Sequence, residues 1–242
     1  MLNEACYLLP LMIKNQSIDG AALPVLKPVA NITLREQVTQ SVRTALMNGH
    51  FQPGQAVTVK AISTMLGASV MPAREAMNRL IAEGALELRA NRTVIVPRLS
   101  RQDFDELTEL RCHVECLAAV QAVERILPVH IAELKTIESA MRSETDANAY
   151  LNANFQFHFL IYQLGASSFV LSIIEKLWVR AGPLIRFGLG DMDFSDSRRL
   201  HALMIRSLEK KDKEGLRQAI LLDISVAAQA IREARGLAGD WD

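Results

Sequence analysis

The amino-acid sequence predicts a mainly α-helical protein: an N-terminal winged helix-turn-helix followed by an all-α antiparallel helical bundle. Three observations support this: two short helices joined by a tight turn at Gly67, two β-prone segments just after them, and helical periodicity throughout the remainder. We therefore divide the 242-residue chain into an N-terminal arm or tail (1–32), a winged helix-turn-helix (33–98) and an all-helical domain (101–236).

The winged part opens with an amphipathic helix. Thr33 is suited to cap its N-terminus, Glu36 can complete a capping box, and Gly49 stands where the helix should end. Residues 61–83 then form the two helices that meet at Gly67. In a helix-turn-helix, the second helix of such a pair lies in the major groove of DNA.

The second helix of the pair has an apolar and a polar face. Its apolar residues recur at helical spacing and predict a buried stripe of Ala73, Met77, Leu80 and Ile81. Arg74, Asn78 and Arg79 must then point outward, and Arg and Asn can bond guanine and adenine edges bidentately. The alternative is an amphipathic helix pair that contacts no nucleic acid.

The surrounding sequence favours DNA. Two β-prone segments around residues 90–92 predict a small hairpin wing. Residues 33–100 carry eight Lys or Arg against four Asp or Glu, whereas residues 101–242 carry 17 basic and 21 acidic side chains. A basic module joined to an acidic one suits a DNA reader whose second domain does not itself hold DNA.

Cysteine usage and the N-terminal residues indicate the compartment. Cys6, Cys112 and Cys116 form no CxxC pair and are expected to be reduced packing residues, which fits a reducing cytoplasm. The apolar run at residues 5–13 is too short to span a bilayer, contains Pro10 and lacks the basic start of a signal peptide.

The second part contains six predicted helices with short connections. They lie near residues 101–126, 128–144, 146–164, 168–189, 196–210 and 212–235. Pro183 should kink or break the fourth of them, and residues 188–195 should form a loop.

Several polar residues interrupt the apolar stripes of this bundle, and a buried charge needs a partner. Asn154 and His158 lie one turn apart on the third helix, His201 on the fifth and Asp223 on the sixth. Together they could bind a divalent transition metal; the alternative is a set of internal hydrogen bonds. On the first helix, Arg111 either binds a ligand or forms an ion pair with the residue one turn on, Glu115.

The residues GHFQPGQAVTVKAISTMLGASVMPAREAMNRLIAEGALELRANRTVIV carry a family resemblance. They resemble the DNA-binding domain of GntR-family transcription regulators, whose pattern includes R-x-P-V-R-E-A-L-x-x-L-x-x-E-G-L. The continuation LSRQDFDELTELRCHVECLAAVQAV looks like the start of the helical effector domain of the FadR subfamily, the FCD domain. The resemblance covers roughly residues 33–235.

The resemblance implies a cytoplasmic homodimer that binds a palindromic operator in double-stranded DNA and responds to a small-molecule effector, mostly an organic acid. In the DNA-binding domain, Arg74 matches the family's DNA-contacting arginine, Lys60 falls where some members have arginine, and Ser69 matches the usual Ser or Thr before the recognition helix. In the effector domain, Arg111 matches the arginine of the R-x-x-x-E motif. The four metal-ligand positions carry Asn154, His158, His201 and Asp223.

Four positions depart from the family pattern. Val70 replaces a usual arginine, which removes one operator contact, and Thr93 replaces the wing-tip glycine. Asn154 is an accepted substitute for aspartate. Asp223 replaces a third histidine, so the site should still bind zinc, nickel or manganese but with a shift toward harder cations.

These inferences predict a repressor, and not an enzyme. Arg74, Asn78 and Arg79 would read bases or phosphates, while Lys60, Ser69 and Arg92 would hold the DNA backbone. A shift of the first bundle helix against the wing would transmit effector binding. The alternatives are a metal-dependent hydrolase using the His/Asp cluster, and a ligand-binding dimer that has lost DNA binding.

Overall fold

The structure, a computed structural model, describes residues 33–144, 146–189 and 195–238. Nine helices and one hairpin lie in these ranges: α1 (Leu34–Met47), α2 (Val59–Leu66), α3 (Val70–Ala82), β1 (Glu87–Leu88), β2 (Val94–Ile95), α4 (Arg101–Arg125), α5 (Pro128–Ser143), α6 (Ala147–Gly165), α7 (Ser168–Leu189), α8 (Ser195–Glu209) and α9 (Lys213–Ala238). The predicted N-terminal arm, Cys6 and most of the predicted 188–195 loop lie outside the described residues.

The predicted local signals set the ends of the first helices. Thr33 and Glu36 form a reciprocal capping box at the start of α1. Gly49 follows the end of α1 with φ +65°, and Gly67 closes α2 with φ +59°. Both glycines adopt the left-handed backbone conformation that other residues rarely take. The predicted helix-turn-helix is therefore present.

The apolar face of α3 differs from the prediction at one position. Ala73, Met77 and Leu80 are buried as expected, but Ile81 is only half-buried and Ala76 is completely buried. The stripe therefore follows Ala73, Ala76, Met77 and Leu80, which turns it slightly around the helix axis.

The predicted wing is a two-stranded antiparallel hairpin. Glu87 pairs with Ile95 and Leu88 with Val94. An isolated bridge from Ala56 to Ile95 adds a third short stretch beside β2. This bridge ties the wing to the segment between α1 and α2.

The six bundle helices match the predicted spans closely, and α9 continues three residues beyond its expected end. A break at Pro183 does not occur, because α7 runs as one helix from Ser168 to Leu189. Proline removes one backbone hydrogen bond and crowds the preceding turn. Here Gly182, Pro183 and Leu184 are buried against neighbouring elements, so packing offsets that cost. No helix among the described residues is long and apolar enough to cross a membrane.

The winged helix-turn-helix and the bundle share one contiguous core. Buried side chains from Val38 in α1 to Ile224 in α9 belong to a single apolar cluster. The two parts approach most closely where α1 meets α7. A methyl group on Gly182 would overlap the backbone carbonyls of Leu46 and Met47. The winged helix-turn-helix therefore rests directly on a bundle helix.

Candidate nucleic-acid interface and candidate metal centre

The predicted DNA-contacting residues are all exposed: Lys60, Ser69, Arg74, Asn78, Arg79 and Arg92. Ser69 occupies the N-cap position of α3, but its hydroxyl makes no capping hydrogen bond. The side chains of Arg74 and Asn78 lie one helical turn apart on the same face of α3. These two residues therefore have the placement expected of base or phosphate contacts.

Arg79 has a different environment. It lies about 140° around the helix from Arg74, and its Nε donates to Glu83 Oε1 at 3.0 Å. Glu83 also pairs with Arg43 of α1. Burial opposes ionisation of Glu83, but the bonds from Arg43 and Arg79 outweigh it and lower the pKa of the carboxyl. Arg79 therefore ties α3 to α1 through a shared carboxylate, and the structure does not group it with Arg74 and Asn78.

The wing tip is formed by Asn91 and Arg92. Arg92 has φ +64°, so the left-handed position of the turn falls on Arg92 and not on Thr93. The Thr93 N–H donates to the side-chain oxygen of Asn91 at 3.0 Å, and the Arg92 N–H donates to the Arg89 carbonyl at 2.8 Å. Thr93 therefore does not need the conformational freedom of a glycine.

Three of the predicted metal ligands converge in the bundle. His158 on α6, His201 on α8 and Asp223 on α9 offer ligand atoms that all lie within 4.8 Å of one another. His158 Nε2 is 3.3 Å from His201 Nε2 and 3.3 Å from Asp223 Oδ2. Asn154, the fourth predicted ligand, is buried one turn before His158 on α6. Three convergent donors on three helices are compatible with the predicted transition-metal site.

Hydrogen bonds around His158 select its tautomer. The Tyr162 hydroxyl donates to Glu115 Oε2 at 2.6 Å, and it also lies 3.3 Å from His158 Nδ1. Since the hydroxyl proton points to Glu115, His158 Nδ1–H acts as the donor to the tyrosine oxygen. Nδ1 is thereby committed to the tyrosine, and Nε2 is the atom that faces His201 and Asp223.

The charge states of the cluster suit a cation. Burial lowers the pKa of His201 to about 4, partly opposed by Asp223. Burial disfavours the Asp223 carboxylate, but its hydrogen bond and charge interaction with His158 lower its pKa below the ordinary value. A neutral His201 imidazole and an ionised Asp223 carboxylate are forms that bind metals.

Arg111 is engaged inside the protein. Its Nε donates to Glu115 Oε1 at 2.6 Å, and both side chains are buried. The guanidinium carbon lies 5.0 Å from the centroid of the Trp178 ring. The internal ion pair, one of the two sequence-based alternatives, is therefore formed. Arg111 also lines a small cleft with Phe104 and Thr108.

Both parts of the chain match known protein families. Residues 34–96 match the description "Bacterial regulatory proteins, gntR family", and residues 106–225 match the FCD domain. The chain belongs to the GntR family. The Nta operon transcriptional regulator of Aminobacter aminovorans is 31% identical to this GntR-family chain over 169 residues, which cover 68% of this chain and 78% of the relative.

Other relatives extend the similarity. The HTH-type transcriptional regulator McbR of Escherichia coli is 28% identical over 204 residues, covering 82% of this GntR-family chain and 92% of McbR. The solved structure of E. coli McbR/YncC superimposes with a TM-score of 0.78 at 26% identity, covering 84% and 99% of the two chains. The predicted family and fold are thus confirmed, and the chain is a DNA-binding transcription regulator with an FCD effector domain.

Two tyrosines that support the cluster in this GntR-family regulator were not predicted from the sequence. Tyr162 orients His158, and Tyr150 donates to the Ser197 hydroxyl, which donates to Asp223 Oδ1 at 3.5 Å. Both tyrosines lie at apolar helix positions and resemble ordinary core residues. A buried tyrosine hydroxyl usually needs a hydrogen-bond partner, and this requirement could have indicated their role.

Proposed function

We propose that this GntR-family protein is a homodimeric repressor that binds a palindromic operator and changes its affinity for that operator when a small carboxylate binds the FCD domain. The main support is the convergence of His158, His201 and Asp223 inside a bundle that packs directly on the winged helix-turn-helix. The proposed ligand site and the proposed DNA-contacting helix pack on the same apolar core, which supports coupling between them.

The proposed resident cofactor is a divalent transition metal, with Zn, Ni and Mn as candidates. His158 Nε2, His201 Nε2 and an Asp223 oxygen would hold it, and the Asn154 amide oxygen would complete the set. Once bound, the metal supplies positions that accept an anionic oxygen. The fit is supported by the contact between His158 Nδ1 and the Tyr162 hydroxyl, which leaves Nε2 facing the cluster, and by the lowered pKa of Asp223. Ligands of this kind are usually oriented by outer hydrogen bonds, the role taken here by Tyr162.

The proposed effector is an organic acid. Arg111 is paired with Glu115, so the metal would be the main partner for the effector carboxylate, and Arg111, which also lines a small cleft, would be a secondary one. The indole N–H of Trp178 is buried and has no hydrogen-bond partner among the described residues. The Trp178 ring lies beside both Arg111 and His158, and an oxygen of a bound effector could accept this N–H.

A route to the DNA runs through α7. The ring of Trp178 lies 5.7 Å from that of His158, and one turn later Gly182 contacts the end of α1. A small displacement of Trp178 would therefore shift α7 and, through Gly182, the end of α1. This route supplements the expected shift of α4 against the wing, and it acts on the helix that Glu83 joins to α3.

The test combines operator selection with ligand titration. Purified protein selects from random duplex DNA at near-physiological salt, beside Arg74→Ala as the DNA-contact variant and His201→Ala as the metal-site variant. We expect one palindromic site that Arg74→Ala does not enrich, and a metal content that His201→Ala loses. Operator affinity should then change when organic acids are added to metal-loaded wild type only. An affinity that no organic acid and no metal alters would exclude the proposed regulation.

A further inference from the structure

The N-terminus of α3 carries exposed apolar side chains. Of twelve exposed large apolar residues in the described part of the chain, four fall in the helix-turn-helix between residues 65 and 71. Val70 is 49% exposed and Met71 is 60% exposed, and they are the first two residues of α3. Met65 and Leu66 form the exposed end of α2. A concentration of exposed apolar side chains on a soluble protein often marks a binding surface.

The helix periodicity places Val70 and Met71 on the Arg74 face. Val70 precedes Arg74 by one turn, and Met71 lies about 60° around the axis from it. The opposite face of α3 is the buried one. In a helix-turn-helix the N-terminal residues of the second helix are those that contact base edges. Val70 and Met71 therefore stand at the end of α3 that enters the groove first.

Charge identifies the occupant of this apolar surface. Lys60, Arg74 and Arg92 are exposed on the same module, which carries eight basic against four acidic residues between 33 and 100. Basic side chains around a small apolar surface match phosphates around a groove floor. The major groove floor has one apolar group, the C5 methyl of thymine.

We propose that Val70 and Met71 read thymine methyl groups, so that the operator half-site carries thymine next to the base that Arg74 contacts. This inference rests on the proposed binding of an operator by α3. The arginine that the family usually has at position 70 would favour guanine, whose O6 and N7 accept its N–H groups. Valine cannot make those bonds and instead gains from burying a methyl group. The substitution thus changes the base that is read and does not merely delete a contact.

The experiment replaces single thymines of the selected operator with deoxyuridine, which removes only the methyl group. Wild type should bind about fourfold more weakly at one or two positions per half-site, the effect of one buried methyl group. Val70→Ala or Met71→Ala should bind thymine and uracil equally at its own position. Val129→Ala, at an exposed valine on α5, is the matched control and should keep the full discrimination. Circular dichroism confirms that each variant is folded.

A second variant tests the inference by gain of function. Val70→Arg should shift the preferred base at the uracil-sensitive position from thymine to guanine in a repeated selection. Operator binding that is indifferent to every uracil substitution, or sensitivity that Val70→Ala and Met71→Ala both retain, would overturn the inference while leaving the operator reader intact. Failure to select any operator would overturn both proposals. If Val70→Ala lost self-association while DNA binding was unchanged, the surface would belong to a contact with a second copy of the chain. That result would overturn the inference that Val70 and Met71 contact thymine.

Discussion

Gly182 of α7 lies directly against the backbone carbonyl of Leu46 in α1, with no room for a methyl group between them. The contact joins the last turn of the first DNA-domain helix to the middle of a bundle helix. One turn before Gly182, Trp178 faces the His158 ring. A single rigid helix therefore touches both the candidate metal centre and the DNA-binding part.

Substitution of this glycine should separate stability from coupling. In Gly182→Ala the added methyl group must displace backbone, and overpacking of this kind costs about 1–3 kcal/mol of unfolding free energy. The displaced α1 should also lose its response to ligands in the FCD domain. Urea unfolding and operator titration with and without metal measure the two effects.

The matched control is Gly236→Ala on α9, where a methyl group would meet nothing within 4 Å. Alanine favours a helix over glycine, so this variant should be equal or slightly higher in stability. A Gly182→Ala protein with unchanged stability and an unchanged ligand response would show that the α1–α7 contact carries no coupling.

Tyr162 should tune the metal site from outside it. Tyr162→Phe removes the hydroxyl that accepts from His158 Nδ1, so His158 loses its fixed tautomer. Metal affinity should fall about 10- to 100-fold while the fold remains intact. Competition with a chelator of known affinity gives the constant. Tyr150→Phe, whose hydroxyl reaches Asp223 only through Ser197, is the comparison and should lose less. Equal losses in the two variants would contradict a specific role for Tyr162.

The part of the fold that depends on local pattern could be predicted from sequence. The capping box at Thr33, the turn at Gly67 and the six bundle helices follow from caps, glycines and apolar spacing. The cluster of His158, His201 and Asp223 was predictable for a related reason, since a polar residue in an apolar stripe must find a partner.

The remainder depends on contacts between elements that are distant in sequence. Nothing local indicates that Gly182 meets Leu46, because a glycine inside a helix has many possible causes. The continuity of α7 through Pro183 also depends on packing, which local propensity does not contain. Arg79 resembles a base-reading residue until Glu83 is seen to bond both it and Arg43.

The buried Arg111–Glu115 pair should show strong non-additivity. Glu115→Gln removes the carboxylate that is hydrogen-bonded to the buried Arg111 guanidinium and should cost about 3–5 kcal/mol of unfolding free energy. Arg111→Met alone should be similarly costly, because Glu115 then remains charged in the core. The double variant should be less destabilised than the sum of the two. Urea unfolding of the four proteins gives the coupling energy. Additive losses would indicate that the two side chains are stabilised independently.

Stability of the metal-free protein should fall in mildly acidic solution. Burial lowers the pKa of His201 from 6.5 in the reference state to about 4 in the folded protein. Between these values the unfolded chain binds more protons than the folded one, so stability rises with pH. The contribution of His201 is complete above pH 6.5 and is lost as pH falls to about 4, by about 3 kcal/mol at most. Asp223, whose folded pKa is also lowered, acts in a separate window below its ordinary value of 3.8.

Urea unfolding of chelator-treated protein at pH 7, 6 and 5 measures this dependence. His201→Gln cannot take up the proton and should have a flatter profile over the same range. His113→Gln is the matched control, because His113 is exposed on α4 and should leave the slope unchanged. Metal-loaded wild type should be more stable than metal-free protein at pH 7 and should lose that advantage toward pH 5, since protons compete with the metal for the histidines. A metal-free protein equally stable at pH 7 and pH 5 would mean that His201 is solvated. That result would contradict the burial of His201 in an enclosed cluster.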